Sequence, residues 1–141
     1  MPSQQIKTNL KYLCKKYGIA ILYAFGSRAD EIRKVVAGED KIDNSCLSDI
    51  DIAVKMLVGV TLNIRQKVEL SIDIGDLFGV DKVDMVILSE ADPFLAANII
   101  RGERIYCVDE TLADEFDLYV LRRAGDLAPF ERQRIENILS R

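Results

Sequence analysis

Three aspartates suggest the chemistry of this chain. Asp49 and Asp51 lie two residues apart at the start of an apolar segment, and Asp84 lies near the start of another. Successive side chains of a strand point to opposite faces, so Asp49 and Asp51 would share one face. Clustered carboxylates repel one another unless cations lie among them, and their oxygens are ligands that suit Mg²⁺. The pattern predicts a magnesium site, in which two ions could hold the attacking and leaving oxygens of an in-line displacement.

A plainer interpretation of the same aspartates stays open. Asp49 and Asp51 could form the solvated face of an edge strand, and Asp84 could be a turn carboxylate at the end of a strand. What favours the metal site is the combination of all three at positions that one sheet could bring together.

A Gly-Ser pair supplies a second candidate site. Gly26 and Ser27 follow the apolar run Ile19 to Phe25 and precede a segment of helical pattern. Glycine lets the backbone approach a phosphate closely, and the start of a helix presents free N–H groups to it. We therefore predict a phosphate-binding turn at Gly26-Ser27, with the Ser27 hydroxyl as a further donor. The alternative is an ordinary strand-to-helix turn in which Ser27 caps the helix.

The composition removes several other kinds of chemistry. The chain has no histidine, which excludes Ser-His-Asp triads and histidine-ligated zinc. Its three cysteines, Cys14, Cys46 and Cys107, are far apart and odd in number, so we expect neither a disulfide framework nor a zinc site. A net charge of −4 suits the gathering of divalent cations but gives no broad nucleic-acid-binding surface. Without a membrane-length apolar run or a signal-peptide pattern, we expect a cytoplasmic protein.

Hydrophobic spacing and turn residues predict the elements that must position these side chains. Helices are predicted before Gly18, over 29–37, over 61–78, from Asp92-Pro93 to Gly102, from Asp109 and again from Pro129. In the third of these, Ile64, Val68 and Ile72 recur at i, i+4 spacing. Strands are predicted over 19–25, from Asp49, over 83–88 and over 104–108. This order indicates one α/β domain over residues 1–141. A helix of crossover length between the second and third strands favours their parallel pairing, which would place Asp84 beside Asp49 and Asp51.

Three segments together resemble the DNA polymerase β-type nucleotidyltransferase superfamily. They are Ala-Phe-Gly-Ser-Arg-Ala at 24–29, Leu-Ser-Asp-Ile-Asp-Ile-Ala-Val at 47–54 and Val-Asp-Met-Val-Ile-Leu at 83–88. The segments at 93–96 and 100–106 add a likeness to the minimal nucleotidyltransferases of prokaryotes. The resemblance implies a nucleotidyltransferase fold, a mixed sheet of about four strands flanked by helices, with the ATP substrate and Mg²⁺ at its edge.

The resemblance also implies roles for particular residues. Gly26 and Ser27 would hold the triphosphate, and Asp49 and Asp51 would bind both metal ions. Asp84 would complete the metal site and accept a proton from the attacking hydroxyl.

Members of this smaller family are often antitoxins of HEPN-domain proteins, and some transfer AMP from ATP to a tyrosine of that partner. The resemblance thus favours a type VII-like antitoxin that adenylylates a HEPN toxin. Residues 109–141, with Tyr119, Leu127 and Phe130, would either contact such a partner or close the domain; a homo-oligomer stays open.

One departure from the family keeps other functions open. Arg28 to Ser48 is twenty-one residues, longer than the family's usual segment between Gly-Ser and the first aspartate, and the usual glycine soon after Gly-Ser is missing. Gly38 could replace it after an insertion. The alternatives are a non-catalytic antitoxin that acts by direct contact, and nucleotidyl transfer to a small molecule or an RNA end. The acidic charge argues against the last two acceptors.

Overall fold

A computed structural model of the chain describes residues 3–39 and 49–139. The helices and strands of this part follow one another in the predicted order up to the helix after β4, with two short 3₁₀ turns, Gly26–Arg28 and Leu88–Glu90, after the first and third strands. The helices are α1 (Ser3–Tyr17), α2 (Ala29–Ala37), α3 (Ile64–Phe78), α4 (Pro93–Ile100) and α5 (Glu110–Leu139), and the strands are β1 (Ile19–Phe25), β2 (Ile50–Met56), β3 (Val83–Ile87) and β4 (Glu103–Cys107).

The strands form a mixed sheet in the order β3-β2-β1-β4. β1 runs antiparallel to β2 and β4, whereas β2 and β3 are parallel, as the helical crossover through α3 predicts. Helices cover both faces, α1, α2 and α3 on one and α4 and α5 on the other. The predicted fold class, a four-stranded mixed sheet flanked by helices, is therefore confirmed.

Alternation along β2 decides which face carries the candidate chemistry. Ile50, Ile52 and Val54 are fully buried against the helices of the first face. Ala53 belongs to the core on the opposite face, and Asp51 and Lys55 take the same side because side chains alternate along a strand. Asp51 thus projects from the α4–α5 side of the sheet, at the end of β2 that these helices leave accessible to solvent.

Local signals fix most element boundaries. Asp92 caps α4 by accepting hydrogen bonds of 2.9 Å from the N–H groups of Phe94 and Leu95, and Pro93 occupies the first turn. Asn63 and Gln66 form a capping box, so α3 begins at Ile64 rather than at residue 61. These local interactions explain why the order and type of the elements agree with the sequence pattern.

The apolar residues that indicate α3 in the sequence do not face the core. Ile64, Val68 and Ile72 are exposed, Ile64 at 81% of its surface, and the buried side of α3 carries Leu70, Ile74 and Phe78 instead. Gly75, between the last two, leaves room for the Val80 carbonyl, which an added Cβ would approach to 2.8 Å. The helix therefore has two apolar sides, and close packing with the chain after Phe78 selects the one that is buried.

The prediction of two C-terminal helices is wrong. A single helix, α5, runs from Glu110 to Leu139 through Pro129. Proline removes one helical hydrogen bond and crowds the carbonyl four residues earlier, which here belongs to Gly125. Asp109 caps α5, as predicted, by accepting the Leu112 N–H at 3.2 Å.

The segment between Gly-Ser and Asp49 begins with α2. Gly38 ends α2 in the left-handed conformation, with φ +81, so it lies at the far end of this helix and does not replace a glycine of the Gly-Ser turn. The rest of the long segment before Asp49, residues 40–48 with Cys46, lies outside the described residues. None of the helices in the described part has the length and apolar content needed to cross a membrane.

Candidate active site

Two of the three aspartates occupy paired positions on neighbouring strands. In the parallel ladder between β2 and β3, Asp51 is the direct partner of Asp84, and Ile50 is the partner of Val83. Paired residues of adjacent strands point to the same face, so both carboxylates leave the sheet on one side. The pairing follows from the α3 crossover, and it brings together side chains that are 33 positions apart in the sequence.

The Asp51 carboxyl is held in an environment that opposes its ionisation. Burial is the main cause that raises its pKa, followed by the charge of Asp84 and a hydrogen bond with it, and by a smaller effect of the Asp49 charge. Two carboxyl groups this close interact unfavourably when both are ionised. A cation between them would remove this cost, so the pair has the electrostatic character of a metal site.

Asp49 occupies a different position. It lies immediately before β2 and is exposed, whereas the sequence pattern places it on the strand beside Asp51. It lines an open groove of about 440 Å³ together with Asp76, Asp81 and Lys82. Residues 3–39 and 49–139 contain no group of three acidic, cysteine or histidine side chains arranged to hold a metal ion. The structure thus pairs Asp51 with Asp84 and leaves Asp49 at the neighbouring surface, and its role as a ligand stays a prediction.

The donor set at the Asp51–Asp84 pair nevertheless fits Mg²⁺. This ion is commonly bound through one or two carboxylates, with waters and substrate phosphates completing its shell. Asp51 and Asp84 supply two hard oxygen donors at one point of the sheet, and their mutual repulsion is the kind that a bound cation relieves.

Gly26 lies directly against the Asp51 carboxylate. β1 pairs with β2 so that Phe25 is the partner of Asp51, and the next residue, Gly26, turns the chain away with φ +75. A Cβ added to Gly26 would overlap Oδ2 of Asp51. The left-handed backbone favours glycine at this position, and a side chain here would displace the Asp51 carboxylate from where it lies.

Ser27 is exposed in the 3₁₀ turn that follows Gly26 and leads into α2. Its hydroxyl forms no hydrogen bond with the part of the chain that the structure describes, and the residue at the cap position of α2 is Arg28. The alternative in which Ser27 caps this helix is therefore wrong. The hydroxyl thus lies one residue after Gly26 at the start of a helical segment, where backbone N–H groups have no intrahelical partner.

Arg28 is buried, although its place in a Gly-Ser-Arg turn suggests an exposed side chain. It is only 5% exposed, and it donates from Nε to Oε1 of Glu31 at 2.9 Å and from Nη2 to Oε2 at 3.0 Å. This bidentate ion pair connects the Gly-Ser turn to the first turn of α2. Its signal in the sequence is the i, i+3 spacing of Arg28 and Glu31, which by itself does not reveal burial.

A polar network on the same side of the sheet joins β1 and β4 to α5. The Tyr23 hydroxyl donates to Asp117, and Arg104 Nη2 donates to Asp117 at 2.7 Å and to Asp114 at 2.8 Å. Burial and the bond to Asp117 raise the pKa of Tyr23 above its ordinary range. Because Tyr23 lies two residues before Phe25 on β1, the network fixes α5 to the strand that ends at the candidate site. No sequence pattern pointed to these four residues.

The chain matches a known family over most of its length. Residues 8–111 match the family model described as polymerase beta, nucleotidyltransferase. No curated protein matches the chain at significant sequence similarity.

Similar solved structures come from toxin–antitoxin systems. A crystal structure of a toxin–antitoxin with AMP-PNP superposes with a TM-score of 0.68 and 20% identity, over 94% of this chain and 98% of that chain. A tri-AMPylated Shewanella oneidensis HEPN toxin in complex with an MNT antitoxin gives a TM-score of 0.67 at 18% identity, over 97% and 98%. The MntA–HepT toxin–antitoxin gives 0.67 at 18% identity, over 96% and 98%. At these identities, the likeness shows a shared fold.

Proposed function

This chain belongs to the polymerase beta nucleotidyltransferase family, and we propose that it transfers AMP from ATP to a hydroxyl of a protein partner. The observation that carries the proposal is the pairing of Asp51 with Asp84 directly beside Gly26. One acidic pair, one glycine and the Ser27 hydroxyl, which has no hydrogen bond within the described residues, lie where β1 ends and β2 begins. Carboxylates that hold Mg²⁺ together with substrate phosphates, and donors aimed at phosphate oxygens, suit the binding of a nucleoside triphosphate.

In the proposed reaction, each residue has a distinct task. Gly26 lets the phosphates approach the backbone, and the Ser27 hydroxyl donates a hydrogen bond to a phosphate oxygen. Asp51 and Asp84, with Asp49 as a proposed further ligand, would hold two Mg²⁺ ions, which supply charge stabilisation to the phosphates when bound. The acceptor oxygen bonds to the α-phosphorus, the bond to the β-phosphate oxygen breaks, and pyrophosphate leaves. Asp84, exposed on its strand, accepts the proton of the acceptor hydroxyl.

We propose a tyrosine of a HEPN toxin as the acceptor, which makes this chain a type VII-like antitoxin acting in the cytoplasm. One similar structure contains a tri-AMPylated HEPN toxin in complex with an MNT antitoxin. The surface of this chain supports a protein acceptor, because α5 extends beyond its packed part. Phe130, Ile138 and Leu139 are exposed there, whereas Val120 and Ala124 pack against the rest of the domain. In the proposal, residues 1–141 are one domain whose α5 both closes the core and contacts the partner.

The test is transfer of label from α-labelled ATP with Mg²⁺ to a co-expressed HEPN protein. We expect Asp51→Asn and Asp84→Asn each to abolish labelling, and Asp126→Asn, an exposed aspartate on α5, to preserve it. Replacing the acceptor tyrosine of the partner by phenylalanine should remove the label without preventing complex formation. Unchanged labelling in the Asp51→Asn and Asp84→Asn variants would show that the proposed site is wrong.

A second candidate is an antitoxin that acts by contact alone. Asp49 stands apart from the Asp51–Asp84 pair, and this observation favours a site with weak activity. The two functions separate in one assay of toxin activity. If the Asp51→Asn/Asp84→Asn double variant neutralises the toxin fully, contact suffices; if neutralisation is lost although the complex forms, the transfer reaction is required.

A further inference from the structure

A second pocket lies on the α4–α5 side of the sheet, at the opposite end of β2 from the aspartates. Its volume is about 220 Å³, and its polar lining residues come from three elements: Lys55 of β2, Ser89 of the turn after β3, and Tyr119 and Arg123 of α5, with Phe116 of α5 and Ala96 of α4 completing the wall. We call it the Lys55–Arg123 pocket. None of the proposed nucleotide-binding residues lines it.

The pocket concentrates positive charge that the rest of the described chain does not neutralise. Lys55 and Arg123 both line it, and no carboxylate is among its lining residues. Neither cation takes part in an ion pair within residues 3–39 and 49–139, although Arg28, Lys67 and Arg104 all do. In a protein with a net charge of −4, two cationic side chains that face one cavity without an ion-pair partner in the described residues favour the binding of an anion there.

Lys55 is held in place without a carboxylate. Its side chain is half-buried, and its Nζ lies 5.4 Å from the centroid of the Phe116 ring, within the range of a cation–π contact. This contact fixes the ammonium at the wall of the pocket but uses none of its N–H donors in a hydrogen bond to a carboxylate. Those donors remain available to a ligand, as do the hydroxyls of Ser89 and Tyr119.

The combination of one arginine, one lysine and two hydroxyls matches the oxygens of a phosphate group. Guanidinium and ammonium groups provide charge-assisted hydrogen bonds to phosphate oxygens, and hydroxyls add neutral donors. A volume of about 220 Å³ is below the range of roughly 300–1,000 Å³ that is usual for drug-sized ligands. The ligand that fits is therefore small, or enters only with its phosphate end.

We propose that the Lys55–Arg123 pocket binds the phosphate group of a small molecule, at a site separate from the proposed nucleotide site. Asp51 pairs with Phe25 on β1, whereas Lys55 pairs with Ile21. The four-residue separation along β2 corresponds to about 13 Å. A phosphate here would also bridge β2 and α5, since Lys55 and Arg123 belong to those two elements. The ligand is inorganic phosphate, pyrophosphate or the phosphate of a mononucleotide such as AMP, and direct titration distinguishes these sources.

The experiment is isothermal titration of the full chain with inorganic phosphate, pyrophosphate and AMP in turn, with EDTA present so that no divalent cation loads the aspartates. We expect at least one of the three probes to bind. The probe that binds with the highest affinity identifies the compound whose phosphate the pocket accepts. Lys55→Gln and Arg123→Gln should each weaken that binding by about tenfold or more, because each removes a charge-assisted hydrogen bond. Arg123 is exposed, so its variant keeps the test valid even if Lys55→Gln fails to fold.

Matched controls assign the binding to this pocket. Arg122→Gln removes the neighbouring arginine of α5, and Lys11→Gln removes an exposed lysine of α1; neither residue lines the pocket, and both variants should bind as the unaltered chain does. The Asp51→Asn/Asp84→Asn double variant should also bind normally, whether or not the chain transfers AMP. The proposal is overturned if none of the three probes binds, if binding survives in both cation variants, or if it is lost in the aspartate variant.

Discussion

Gly26 and Asp51 are in direct contact across the β1–β2 ladder, with the glycine backbone against the carboxylate. The residue that follows β1 and the carboxylate near the start of β2 therefore constrain each other, since a Cβ on Gly26 would overlap Oδ2 of Asp51 where it now lies. The Gly-Ser turn and the aspartates, which are separate motifs in the sequence, form one structural unit.

Replacing Gly26 by alanine should reduce AMP transfer by about 100-fold, because small displacements of a reacting group have effects of that size. Gly59→Ala is the matched control, since Gly59 has φ +82 but an added Cβ there meets nothing within 4 Å. Both variants carry the backbone strain of about 1–2 kcal/mol for an L-residue in the left-handed region. Only Gly26→Ala should lose activity in the labelling assay; equal activities would mean that the contact with Asp51 does not matter.

Asp51→Asn should raise the thermal stability of the metal-free protein at neutral pH. The pKa of Asp51 is higher in the folded chain than in the unfolded one, mainly through burial and then through Asp84, so its ionisation opposes folding. The protonated carboxyl therefore stabilises the folded chain. This contribution to the free energy of unfolding is complete below the unfolded pKa of about 3.9 and is lost as the pH rises through the folded pKa. Melting curves in EDTA should show a gain of a few degrees at pH 7 that shrinks toward pH 4. A lower Tm than that of the unaltered chain at pH 7 would contradict the assignment.

Mg²⁺ should stabilise the protein through the same pair. A ligand that binds only the folded state at 100 times its Kd contributes about 2.7 kcal/mol. We expect the Mg²⁺-induced rise in Tm to disappear in Asp51→Asn and in Asp84→Asn, and to decrease in Asp49→Asn if Asp49 is a ligand. If Mg²⁺ raises the Tm of Asp84→Asn as much as that of the unaltered chain, the paired carboxylates are not the metal site.

Removing Arg28 should cost far more stability than removing a nearby exposed arginine. Arg28 is 5% exposed and binds Glu31 through two hydrogen bonds, so Arg28→Ala leaves a partly buried carboxylate without this partner, at a cost of about 3 kcal/mol. Arg33 pairs with Asp30 at 3.0 Å on the surface of the same helix, and Arg33→Ala should cost less than about 1 kcal/mol. Urea unfolding of the two variants measures the difference, and similar values would show that burial of the Arg28 pair is unimportant.

The sequence predicts the elements and the pairing of the aspartates because local rules decide both. Gly18 and the Asp92-Pro93 pair mark helix boundaries through backbone conformation and capping, which depend on few neighbours. The helix between β2 and β3 makes parallel pairing the favoured connection, and the register of Asp51 with Asp84 follows.

Features that depend on tertiary packing are the ones the sequence pattern does not reveal. The stripe Ile64, Val68 and Ile72 has helical spacing but faces solvent, because the opposite side of α3 fits the sheet more closely. Arg28 is buried because Glu31 lies one helical turn away and neutralises it. Pro129 indicates a helix break, but α5 continues through it. In each case the outcome depends on which neighbours fill the space.

The position of β3 at the edge of the sheet has a consequence for the lifetime of the site. Asp84 lies on a five-residue strand that pairs only with β2 in the described part of the chain. Release of this single ladder would separate Asp84 from Asp51 while the β1–β2–β4 core stays folded. Amide hydrogen exchange along β3 would then report the free energy of assembling the carboxylate pair, independently of global unfolding. Any molecule that pairs with the outer edge of β3 would slow this exchange and hold the site in its assembled form.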